Sequence, residues 1–63
     1  MTRREWKAEV KKELTLHDWT VRDLAEAAGY SYSHVSNAMN GGIAAREMLE
    51  KVSAVLGIEP PQE

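Results

Sequence analysis

The stretch that decides the fold is Thr20-Val21-Arg22-Asp23-Leu24-Ala25-Glu26-Ala27-Ala28-Gly29-Tyr30-Ser31-Tyr32-Ser33-His34-Val35-Ser36-Asn37-Ala38-Met39. Thr20 is an N-cap residue with Asp23 three positions on. Val21, Leu24, Ala25 and Ala28 then fall on one face of a helix. Gly29 is the residue type that ends a helix in left-handed geometry without a steric penalty. Ser31 can cap a second helix only two residues later, with Val35, Ala38 and Met39 as its apolar face. Two helices of about eight residues joined by a turn of about three must cross steeply, which is helix-turn-helix geometry. Ala25 sits at the predicted crossing, where a larger side chain would push the pair apart. Val35 and Ala38 face back toward Leu24 and Ala28, leaving the other face of the second helix free.

Upstream, Thr2-x-x-Glu5 reads as a capping box, and Trp6, Val10 and Leu14 recur four apart as a single apolar stripe. This first helix is predicted to end between Leu14 and His17, with Thr15 to Asp18 as loop. Each start is preceded by an apolar or aromatic residue at hydrophobic-staple spacing: Met1 with Trp6, Trp19 with Leu24, Tyr30 with Val35. Downstream, Asn40-Gly41-Gly42 breaks the third helix. A fourth starts near Ala44 or Ala45 without an obvious cap. Its stripe is Met48, Leu49, Val52, Val55 and Leu56, and Gly57 closes it. Ile58 is expected to tuck back onto the core. No segment alternates like a strand. The expectation is an all-α domain of four helices over residues 1–58 and a flexible, non-helical tail over 59–63. Met1 with its immediate capping box suggests a natural start.

With 63 residues the chain is one domain, small enough for marginal stability. It has no cysteine, which excludes a disulfide framework and a thiolate metal site. No apolar run approaches a membrane span, and the charged start argues against a signal peptide. His17 and His34 have no third ligand near them in the pattern, so no metal is expected, and no cofactor. There is no phosphate-cradling Gly loop, Gly-x-Ser-x-Gly elbow or His-Glu-x-x-His run, so no catalytic residue is expected either.

Net charge is −2, which speaks against a generic polyanion binder, but the distribution is uneven. Residues 1–12 carry five basic groups against two acidic ones, a net of +3; residues 13–63 carry three basic and eight acidic, a net of −5. Ala27 to Ala45 contains no formal charge. Such a charge-free middle fits either a surface that meets a partner or a buried helical hairpin.

Leu24-Ala25, Ala28-Gly29, Ser31 and Val35 stand where the Cro and lambda-repressor-like (Xre) helix-turn-helix family places its signature residues. Asn40-Gly41 resembles that family's polar-Gly loop, and Leu49, Val52 and Leu56-Gly57-Ile58 its next helix. The resemblance covers about residues 4 to 58. It implies a four-helix lambda-repressor-like domain that binds double-stranded DNA, with the second helix of the pair in the major groove. Carried over by position, Tyr32, Ser33, Ser36 and Asn37 would face bases. Asn37 is the best reader, because its amide can pair with adenine N6 and N7. Phosphates would be met by the helix start at Thr20, by Arg22, by Asn40 and Gly41, and by Arg46. Lys7 or Lys11 could flank the site, although the lysines of the first helix read first as a solvated face.

The reading helix has no Arg, Lys or Gln, so the commonest guanine contact is missing from it. The tail stands where the family's fifth, dimer-forming helix would begin, which leaves at most a weak homodimer. Size and resemblance together imply a bacterial, cytoplasmic, nucleoid-associated regulator of phage, prophage or mobile-element type, repressor or activator. The alternative is a protein-interaction module, an antirepressor or adaptor reusing the same fold. The polar face of Ser33, Ser36, Asn37 and Asn40 favours DNA, since the centre of a protein-binding face is more apolar.

Overall fold

The computed structural model describes residues 1–62. Four helices follow in order: α1 (Arg3–His17), α2 (Val21–Ala28), α3 (Tyr32–Met39) and α4 (Arg46–Leu56). No strand and no fifth helix occur among the described residues.

Three of the four starts are built from local side chains. The Thr2 side chain accepts from the Glu5 amide while Glu5 accepts from the Thr2 amide, and Thr20 and Asp23 repeat this reciprocal pair. Ser31 accepts from the His34 amide. At α4, Ala45 provides no side-chain cap. Gly29 and Gly57 close α2 and α4 in left-handed geometry, and Asp18 does the same for α1 at φ 55°. Asp18 is the one described non-glycine residue there, and its short polar side chain is among the few that tolerate the conformation. α1 accordingly runs through Thr15, predicted as loop, to His17; the Thr15 hydroxyl donates to the Lys11 carbonyl at 3.0 Å.

The core joins Trp6, Val10 and Leu14 of α1 to Leu24, Ala25 and Ala28 of α2, Val35, Ala38 and Met39 of α3, and Met48, Leu49, Val52 and Leu56 of α4. α2 packs on α3 and α4, and α1 closes the other side of both. Ala25 of α2 and Ala38 of α3 are both buried. Met1, Tyr30 and Ile58 lie half-buried against this core, as the staple spacing and the apolar tail predict. Trp19 differs. It stays 38% exposed, its ring tilted against His17 at 6.0 Å between centroids. The left-handed turn at Asp18 sends the chain outward just before it.

One polar element lies inside. Trp6 Nε1 donates to Ser53 Oγ at 2.8 Å, and Ser53 Oγ donates to the Leu49 carbonyl at 2.6 Å. No buried side-chain polar atom among the described residues lacks a partner.

The end of the chain departs from the flexible tail expected of it. Pro61 is fully buried, the Gln62 amide donates to the Met1 carbonyl at 2.8 Å, and the Arg46 guanidinium bonds the Pro61 carbonyl. Two prolines cannot continue a helix, but their rings are apolar and lose little conformational freedom on packing. Glu63, the last residue of that predicted tail, lies outside the described residues.

Candidate nucleic-acid interface

α3 is pinned by Val35, Ala38 and Met39, so it turns the opposite stripe to solvent. Tyr32, Ser33 and Asn37 are exposed and Ser36 is half-buried. The four predicted base readers therefore share one surface, which carries hydroxyl, phenol and amide groups and no formal charge.

Tyr32 and Arg22 come together. The Arg22 guanidinium carbon lies 5.5 Å from the centre of the Tyr32 ring, a cation–π distance. The start of α2 is thereby tied to the start of α3, and a cation is fixed at that end of the reading surface. Thr20 is less available than the sequence suggests. Its amide donates to the Asp23 carboxylate at 2.8 Å and its hydroxyl oxygen accepts from the Asp23 amide at 3.2 Å. The capping box leaves only the Val21 and Arg22 amides of the first turn for an outside anion, beside an acidic group.

Asn37 is exposed but not free. Its Nδ2 donates to the Ile43 carbonyl at 3.3 Å, and its main-chain carbonyl accepts from the Gly42 amide at 2.9 Å. The expectation that its side chain stands clear of the fold is corrected: one donor braces the α3–α4 loop. Ile43, held there, is 99% exposed.

The far end of α3 is organised by α1, whose lysines read from the sequence first as a solvated face. Arg3 Nη1 donates to the carbonyls of Ala38 and Gly42 at 3.0 and 2.7 Å, placing a cation at the C-terminal end of α3 and on the loop that follows it. Lys7 Nζ donates to Asn40 Oδ1 at 2.9 Å, and Asn40 Nδ2 donates to the Ser36 carbonyl at 3.0 Å. The loop amides turn inward: Asn40 to Ser36, Gly41 to Ala38 and Gly42 to Asn37. Asn40 and Gly41 thus supply no outward backbone donor. What Gly41 supplies is room and a φ of +87°, with nothing within 4 Å of where a Cβ would stand. Arg46 is engaged elsewhere, on Glu50 at 3.3 Å and on Pro61. Of the predicted phosphate residues it is the one the fold ties to the tail.

Arg3 and Arg4 were absent from the sequence-based site. The available signal was the +3 balance of the first twelve residues, which does not say against which helix those cations lie.

The helix-turn-helix family model matches residues 10–62. The chain belongs to the helix-turn-helix family of the Cro/C1, Xre-like type, a family of DNA-binding regulators. Neither the comparison with curated proteins nor that with solved structures finds a match. No described helix is long and apolar enough to cross a membrane.

Proposed function

We propose that this chain is a sequence-specific double-stranded DNA-binding regulator of transcription, of phage or mobile-element type, working in the bacterial cytoplasm. α3 enters the major groove. Tyr32, Ser33, Ser36 and Asn37 meet base edges, Asn37 through the amide oxygen and the second amide hydrogen that Ile43 leaves open. Arg22, with the Val21 and Arg22 amides, holds a phosphate at one wall of the groove.

The observation that carries this reading is the layout along α3: an uncharged, hydrogen-bonding face with Arg22 at its start and Arg3, Arg4 and Lys7 at its end. From Tyr32 to Asn40 an α-helix rises about 12 Å. That is about the width of the B-DNA major groove, whose walls are phosphates.

One feature favours a protein partner instead. Tyr30, Ile43, Ala44, Ala45 and Met48 line a groove of about 280 Å³ beside His34 and Asn37, with Ile43 wholly in solvent. Selection from a random pool of duplex DNA at about 50 mM salt, where backbone attraction is strong, separates the readings. An enriched motif supports a DNA reader; a single short motif indicates a monomer and a spaced palindrome a weak homodimer. No enrichment and no salt-dependent retention would put the protein-interaction module in its place.

A further inference from the structure

We propose that Arg4 and Lys7 of α1 form a second phosphate-holding site, on the wall of the groove opposite Arg22. This rests on the DNA-binding reading above and adds α1 to the interface. Arg3, Arg4, Lys7, Met39, Asn40 and Gly41 line an open cavity of about 310 Å³ where α1 passes the end of α3. Among the described residues that line it, three are cations and none is a carboxylate.

Each neighbour has a defined part. Arg3 is occupied by the Ala38 and Gly42 carbonyls and forms the floor. Asn40 holds the Lys7 ammonium through one Oδ1 contact at 2.9 Å, leaving two of its three N–H donors for an anion. Arg4 is exposed three residues before Lys7, about one helical turn nearer the start of α1. Gly41 keeps the mouth open, since no side chain stands there. The loop amides bond back to α3, so attraction for a phosphate at this end has to come from side chains, and α1 provides them. The cluster also resolves how a chain of net charge −2 can hold a polyanion: three of the five cations of its first twelve residues line one cavity at the end of the reading helix.

The test measures affinity of the full chain for its selected duplex as a function of salt. Log K falls with log salt by about 0.9 per phosphate neutralised. Arg4→Gln and Lys7→Gln are each expected to flatten that slope by about 0.9, and the double variant by about 1.8, with the selected motif unchanged. Lys51→Gln removes the same charge from the exposed side of α4 and is expected to leave the slope alone. Circular dichroism checks that the four variants are folded like the unsubstituted chain. If Arg4→Gln and Lys7→Gln change the slope no more than Lys51→Gln does, the site is overturned while DNA reading stands. If the unsubstituted chain shows no salt-dependent binding to any duplex, the DNA-binding reading falls and this site falls with it.

Discussion

The Asn37 side chain occupies the place where a side chain of Gly42 would begin. A Cβ at Gly42 would collide with the Asn37 amide, and the two residues are joined again by the Gly42 amide donating to the Asn37 carbonyl at 2.9 Å. The best candidate base reader and the loop behind it are therefore a single unit. Gly42→Ala is expected to push the amide out of its hydrogen bond with Ile43. The stability cost is about 0.5–1.5 kcal/mol, the net worth of a typical hydrogen bond. It is also expected to alter the selected DNA motif, although Gly42 reads nothing itself. In an Asn37→Ala background the same change is expected to be nearly neutral. Urea unfolding of the two single variants and the double variant measures the coupling. Additive losses would mean that the loop is held by something other than this amide.

Ser53 is a polar residue inside the core, and its presence is explained by Trp6. The indole N–H, fully buried, has Ser53 Oγ as its acceptor. Ser53→Ala leaves that donor unpaired and is expected to cost about 1–3 kcal/mol. Trp6→Phe removes the donor, so adding Ser53→Ala to it is expected to cost distinctly less. A cycle of thermal melts on the four proteins decides it: an equal loss from Ser53→Ala in both backgrounds would place the role of Ser53 elsewhere.

Three of the four helix starts were legible because each depends on residues within four positions of one another: Thr2 with Glu5, Thr20 with Asp23, Ser31 with His34. The apolar stripes were legible for the same reason, except that Val55, read into the α4 stripe, is 38% exposed. What stayed hidden depends on separations that no local pattern encodes. Arg3 meets Ala38 and Gly42 across 35 and 39 residues, Lys7 meets Asn40 across 33, and Trp6 meets Ser53 across 47. Proline content correctly indicated a non-helical end. It could not indicate that Pro61 would be covered, because that depends on where Met1 and Arg46 come to lie. The same limit applies to the candidate interface. Position within the family pattern singled out the α3 face, while the cations that bracket its far end came from a helix the pattern treats as scaffold.

Ala25 is 1% exposed in α2, at the position the sequence reads as the crossing with α3, and its carbonyl accepts from the Tyr30 amide at 2.9 Å. There is no space there for three further carbons. Ala25→Leu is expected to destabilise by about 1–3 kcal/mol through overpacking. In a domain of this size that corresponds to roughly 4–8 °C of melting temperature for each kcal/mol. DNA affinity is expected to fall as well, since α3 is displaced relative to the Arg22 end of α2. An unchanged melting temperature would mean that the helices cross elsewhere.

Acid should loosen the start of α1 through Glu5. Its carboxylate is held below the ordinary range first by the hydrogen bond from the Thr2 amide, then by the Thr2 side chain, with a smaller pull from the N-terminal ammonium. A carboxylate whose pKa is lower folded than unfolded stabilises the fold above its unfolded value, about 4.3 for Glu. That contribution disappears as pH falls through the folded value. Glu5→Gln keeps a side chain able to close the capping box but carries no charge to titrate. The unsubstituted protein is therefore expected to lose stability relative to Glu5→Gln on going from pH 6 to about pH 3, with any difference at neutral pH in its favour shrinking toward the acid end. Urea midpoints across that range measure it. Parallel curves for the two proteins would show that the charge on Glu5 does nothing for α1 that a neutral amide does not.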